Sequence, residues 1–122
     1  MAPKKILLVE DDDIIAKVAV WRLKNLGYDI AGRATSGAEA MELVVKNKPD
    51  LVLMDINIQG EIDGIETAKM IKKGFSIPVV YVTSHSDGPT LDRAKATQPD
   101  GFIVKPFDDN DLRVAIELAL KK

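Results

Sequence analysis

Five apolar runs of strand length alternate with five helix-length amphipathic stretches along this chain, and few folds accommodate that order. The strand candidates are Lys5–Val9, Asp29–Ala34, Leu51–Met54, Pro78–Val82 and Gly101–Val104. The runs at Ile6, Leu51 and Pro78 are almost wholly apolar, as expected of strands covered on both faces. The helix candidates are Ile14–Leu26, Ala38–Lys46, Gly64–Lys73, Thr90–Thr97 and Asn110–Lys121. Gly37, Ala40, Met41 and Val44 follow the i, i+3, i+4, i+7 rule, and so do Leu112, Ala115, Ile116 and Ala119. Ser36 and Asp109 suit N-caps, and Gly27 and Gly74 suit the positions just past helices. Pro49-Asp50 and Pro99-Asp100 each end a helix and lead into a strand. The alternation predicts an α/β fold: a parallel sheet with right-handed crossovers and helices on both faces. The fourth helix is anchored mainly by Leu91 and Ala94, which makes it the cheapest to shift.

With 122 residues, 46% apolar and 30% charged, the chain suits one globular domain spanning 1–122. A formal charge of −2 argues against a surface built to grip a phosphate backbone, so no nucleic-acid partner is expected. Cysteine is absent, which excludes a disulfide scaffold, thiolate zinc, iron–sulfur clusters and a cysteine nucleophile. The opening segment holds only four consecutive apolar residues, Ile6 to Val9, before a run of acids. That is too short for a signal peptide or a spanning helix, so a cytoplasmic protein without a membrane partner is the expectation.

In an open α/β sheet, ligands bind beyond the carboxyl ends of the strands, near the point where strand order reverses. After the first strand come Glu10, Asp11, Asp12 and Asp13; after the third, Asp55; after the fourth, Thr83 and Ser84; after the fifth, Lys105 and Pro106. Acids from two strands, a hydroxyl and an ammonium therefore converge on one edge if those strands are neighbours. Glu10, Asp11 and Asp55 crowded together repel unless a cation sits among them. Oxygen-only ligands without His or Cys suit Mg²⁺ or Mn²⁺. Asp12 or Asp13 is accounted for as a helix cap, whereas Asp55 ends a buried apolar strand and calls for compensation. Lys105 is either a neutralising neighbour or a point charge for a phosphoryl oxygen. Thr83 is strand filler or a donor to the same group. Together these residue types fit phosphoryl transfer to the Asp55 carboxylate, chemistry done by positioning and charge.

Lys5-Ile6-Leu7-Leu8-Val9-Glu10-Asp11, Leu53-Met54-Asp55, Asp63-Gly64, Val82-Thr83-Ser84 and Val104-Lys105-Pro106-Phe107 resemble, in order and spacing over nearly the whole chain, the receiver domain of two-component response regulators. The resemblance implies a five-stranded parallel sheet of order 2-1-3-4-5 in a flavodoxin-like receiver fold, the order already described for a member of that family. It implies Asp55 as phosphoacceptor, loaded from the phosphohistidine of a histidine kinase, in a protein that catalyses only its own phosphorylation and dephosphorylation. Asp11 would contact Mg²⁺ directly, Glu10 through water, and Asn57 through its backbone carbonyl. Thr83 and Lys105 would contact the phosphoryl group, with a cis peptide before Pro106. Phe102 occupies the aromatic switch position, where a plain core aromatic is the competing reading. The face of fourth helix, fifth strand and fifth helix would change on phosphorylation, meeting a downstream effector or output domain, or a second copy in a transient homodimer. Asn57 and His85 lie two residues beyond Asp55 and Thr83, where the family tunes attack by water on the acyl phosphate; for His85 a bland surface-loop role competes.

Three features depart from the family pattern. Gln59 stands where many members have Pro, in a loop one residue longer than the commonest form. Ser84 stands where Ala is common. Trp21 is expected to pack or lie partly exposed on the first helix without sensing metal. A flavodoxin-like flavin binder is disfavoured because Glu10 to Asp13 would repel the flavin phosphate. A haloacid-dehalogenase-type phosphatase would need a second acid where Asn57 stands. A receiver that is never phosphorylated and docks constitutively is the remaining alternative, against which the set Glu10, Asp11, Asp55, Thr83 and Lys105 argues. Whether the chain acts alone or as one domain of a longer protein is left open by its sequence.

Overall fold

A computed structural model describes residues 3–58, 60, 62–83 and 88–121. Its elements run β1 (Lys5–Val9), α1 (Asp13–Asn25), β2 (Asp29–Ala34), α2 (Gly37–Asn47), β3 (Leu51–Asp55), α3 (Gly64–Phe75), β4 (Val79–Thr83), α4 (Gly88–Ala96), β5 (Gly101–Val104) and α5 (Asp109–Leu120). All strands are parallel, in the order β2-β1-β3-β4-β5. The chain thus starts near the middle of the sheet and reverses its winding between β1 and β3, which places a crevice at their carboxyl ends.

The central strands are apolar on both faces because each face has its own core. On one side Leu7, Val9, Val52, Met54, Val79 and Tyr81 pack against Ala40 and Val44 of α2, Ile65, Ala68 and Ile71 of α3, and Ala94 of α4. On the other, Ile6, Leu8, Leu51, Leu53, Val80, Val82 and Ile103 pack against Ala16 and Leu23 of α1 and Leu112, Ile116 and Ala119 of α5. Each fully buried Leu or Ile contributes about 1.5–3 kcal/mol of transfer free energy. Arg22 straps α1 to the start of α5: its Nε pairs with Asp109 at 2.7 Å, its Nη2 donates to the Phe107 carbonyl at 2.8 Å, and its guanidinium lies 4.5 Å from the Phe107 ring centroid.

Asp12 caps α1 by accepting from the amides of Ile14 and Ile15, and Ser36 caps α2 by accepting from Glu39. Several expected boundaries differ, by one or two residues. The N-cap of α5 is Asp108 and not Asp109, because Asp108 and Asp111 form a reciprocal capping box that satisfies two otherwise orphaned amides. Helix α3 runs through Gly74 to Phe75, and Ser76, at φ 56°, takes the left-handed cap position. Strand β3 includes Asp55, and β4 begins one residue later than Pro78 and includes Thr83. Pro78 still serves the ladder, since its carbonyl accepts from Val52, but it has no N–H to donate. Pairing of β1 with β2 slips by one residue: Ile6 faces Ile30 but Leu7 faces Gly32, leaving Ala31 as a bulge.

Candidate functional site

The crevice is lined from the strand ends inward. Glu10 leaves β1 with its amide still donating to the Ala34 carbonyl of β2 at 2.9 Å. Its side chain is buried, at 4% exposure for the residue, with one carboxylate oxygen accepting from the Asp12 amide at 3.1 Å. Asp55 ends β3 at 8% exposure, paired across the sheet with Val82. Its Oδ1 accepts the Asn57 amide at 3.0 Å. Lys105 reaches in from the end of β5, with Nζ 3.4 Å from Glu10 Oε1 and 3.6 Å from Asp55 Oδ2. Thr83 is buried at the end of β4, and its carbonyl accepts from the Lys105 amide at 2.7 Å. The Lys105–Pro106 peptide bond is cis.

Gly64 fixes this geometry from behind. A Cβ at that position would lie 2.3 Å from the Asp55 carbonyl oxygen and 2.8 Å from the Ile56 Cα. Only glycine lets the start of α3 abut the end of β3, and the Gly64 amide then donates to the Ile56 carbonyl at 3.0 Å. Asp63, its neighbour, caps α3 by accepting from Glu66. The Asp63-Gly64 pair therefore has separable tasks, a cap and a close approach.

Electrostatics leave the pocket short of positive charge. Glu10, Asp11 and Asp55 each offer an oxygen, and these oxygens all lie within 4.8 Å of one another, with one lysine beside them. Burial pushes the Glu10 carboxyl above its ordinary pKa; the Asp12 amide opposes this, the charge and hydrogen bonding of Asp55 add to it, and Lys105 offsets part. Among the described residues the cluster offers three carboxylates and no nitrogen or sulfur ligand, which fits a hard divalent cation such as Mg²⁺.

The structure brings Glu10, Asp11, Asp55 and Lys105 together, with Thr83 beside them on β4. Asn57 is exposed and contributes its amide to Asp55. Phe102 is half-buried on β5, edge-on to Tyr81 with ring centroids 6.3 Å apart. The Tyr81 hydroxyl meets Thr97 Oγ1 at 2.7 Å, just past α4. Trp21 is 64% exposed, on α1 as expected. Gln59, Ser84 and His85 lie outside the described residues. Sequence reasoning did not single out Gly64 as a packing constraint, nor Arg33, whose guanidinium touches the Glu10 carbonyl. It also missed Ile14, Ile15 and Val18, exposed on α1. They line a cavity of about 350 Å³ that also takes in Glu10, Asp55, Pro106 and Phe107. Their outward spacing on α1 was readable; their position against the acids was not.

Fold and pocket together define a doubly wound α/β domain with a cation-suited acidic crevice at its switch point. The response regulator receiver domain model matches residues 6–117, and the chain belongs to that family, the receivers of two-component systems. It is 38% identical over 120 residues to the transcriptional regulatory protein PdtaR of Mycobacterium tuberculosis, covering 98% of this chain and 58% of that protein's length. The chain thus spans little more than half of that curated relative. Among solved structures, the signal receiver domain of a modulated diguanylate cyclase from Desulfovibrio desulfuricans superposes with a TM-score of 0.92 at 35% identity, covering 98% of this chain and 94% of that one. The receiver domain of PhyR from Erythrobacter litoralis gives 0.85 at 34% identity, covering 99% and 92%. No helix among the described residues is long and apolar enough to cross a membrane.

Proposed function

We propose that Asp55 accepts a phosphoryl group from the phosphohistidine of a histidine kinase, and that the domain spanning 1–122 relays its charge state to a partner protein. The observation that supports this best is the pairing of a nearly buried strand-end carboxylate with Lys105 on one side and the Glu10–Asp11 acids on the other. A carboxylate oxygen of Asp55 attacks phosphorus; the P–N bond breaks and its electron pair returns to the imidazole nitrogen. Glu10, Asp11 and Asp55, with the Asn57 carbonyl, would hold Mg²⁺ or Mn²⁺, which supplies neutralisation of carboxylate and phosphoryl oxygens. Lys105 trades its carboxylate partners for a phosphoryl oxygen, and the Thr83 hydroxyl donates to another. Phe102 and the α4–β5–α5 face respond, offering an effector, an output domain or a second copy a changed surface. Asn57 and His85, two residues beyond Asp55 and Thr83 in the sequence, set how long the adduct lasts. The exposed Ile14, Ile15 and Val18 beside the acids favour a protein donor over a small phosphate ester alone. The activity is confined to the chain's own phosphorylation and dephosphorylation, in the cytoplasm.

Intact mass measurement after treatment with acetyl phosphate and Mg²⁺ tests the reading. One labile phosphoryl adduct is expected, lost in Asp55→Asn and suppressed by a chelator. Lys105→Ala should retain some adduct but uncouple it from the conformational response. An adduct at wild-type yield in Asp55→Asn would move the nucleophile elsewhere, and no adduct in the wild type would leave a constitutive docking module.

A further inference from the structure

We infer that Arg33 is a positioning residue for the acidic crevice: it fixes the path of the 10–13 turn and thereby the reach of Glu10 and Asp11 towards a divalent cation. The inference rests on the reading of Glu10, Asp11 and Asp55 as the cation site.

Arg33 spans the turn with two arms. Its Nε donates to the Glu10 carbonyl at 2.8 Å, and its Nη1 pairs with Asp13 Oδ1 at 2.9 Å. Asp11 and Asp12 lie between those anchor points. The planar guanidinium holds both at a fixed separation, which a single ammonium cannot do. The turn needs such a hold because Glu10, Asp11 and Asp55 repel one another, and Glu10 and Asp55 sit at the ends of adjacent strands.

The bulge in β2 is what brings Arg33 to this side. Ile30 packs in the core under α1 and α5, and Ala31 in the opposite core. Strict alternation would then turn Gly32 towards α1 and Arg33 away from it. The extra residue at Ala31 shifts the phase, so Arg33 pairs with Leu8 and shares its α1-facing side, while Ala34 pairs with Val9 and packs in the other core. Gly32 carries the irregularity at φ +153°. Bulges at sheet edges commonly re-aim a side chain in this way, and β2 is an edge strand.

Two effects of Arg33 on Mg²⁺ oppose each other. Its positive charge disfavours a nearby cation, while its bridging favours the ligand geometry. Arg33→Lys keeps the charge and removes the two-armed bridge, so it separates them. Calorimetric titration with Mg²⁺ alone, without a phosphodonor, should show affinity weakened on the order of tenfold in Arg33→Lys, as for other residues that orient metal ligands. Phosphoryl uptake from acetyl phosphate should shift to higher half-saturating Mg²⁺ and return to within about twofold of the wild-type rate at saturation. Asp13→Asn, which leaves the Glu10 contact in place, should shift affinity in the same direction by less, and it carries the test if Arg33→Lys fails to fold in EDTA. Wild-type or tighter affinity in Arg33→Lys overturns the inference while leaving Asp55 phosphorylation standing. A wild-type chain that binds no Mg²⁺ overturns both.

Discussion

The junctions that follow β3 and β4 hold their helices in opposite ways. At the first, α3 is pressed directly against the backbone of Asp55, five of its residues are buried, and the acid is fixed by an amide and by sheet pairing. On the β4–β5 side, α4 buries Ala94 alone and is tied down by polar contacts: Tyr81 to Thr97, Thr97 to the Ala94 carbonyl, and Arg93 to Asp63 at 3.0 Å. Packing against a backbone is steep in distance, whereas a hydroxyl contact or an exposed ion pair is shallow and readily exchanged. The difference suits the role proposed for Asp55, which asks for a fixed carboxylate beside a surface free to move.

The sharpest way to break this contrast is Gly64→Ala. The added Cβ meets backbone at 2.3 Å and should cost about 3 kcal/mol in urea denaturation, with loss of phosphoryl uptake at Asp55. Gly88 on α4 is the control, because a Cβ there meets nothing within 4 Å among the described residues. Gly88→Ala should leave stability unchanged or raise it by about 0.4–1 kcal/mol. If both glycine variants lose equal stability, the two junctions are not mechanically distinct.

Protonation probes the rigid side. Burial raises the Glu10 pKa above its ordinary 4.5, so between the unfolded and folded values the folded state binds the extra proton. Stability of the metal-free protein should therefore fall as pH rises through that window and stay lower above it. Denaturation in EDTA across pH should show this slope, and Glu10→Gln should flatten it. On the yielding side, Tyr81→Phe should cost about 1 kcal/mol through the lost hydroxyl contact. Arg93→Ala should be the smallest perturbation, under about 0.5 kcal/mol for a half-exposed pair, read by thermal denaturation at low and high salt.

Much of this contrast was visible in the amino-acid order. Strands β1, β2 and β5 fall where apolar runs placed them, since runs bounded by charge, Gly or Pro leave little freedom in register. The acids came together because they follow β1 and β3, which the topology makes neighbours, and Lys105 reaches them from β5, one strand beyond β4. Residues acting across the sheet were hidden. Arg33 meets partners 20 and 23 residues away, and its facing depends on a single inserted residue that a strand pattern reads as noise. The choice between Asp108 and Asp109 as cap turned on a reciprocal bond to Asp111, which composition alone does not rank. Gly64 read as a family motif, while its necessity came from the backbone oxygen of Asp55, well upstream in the chain.

The hydrogen bond from the Gly64 amide to the Ile56 carbonyl joins the two ends of the connection between Asp55 and α3. Whatever length of chain runs between them is looped out from a closed neck, and ring closure grows only logarithmically dearer with size. The middle of this connection can thus absorb an additional residue, with Asn57 and Asp63 kept, while the Asp55 carboxylate stays in register.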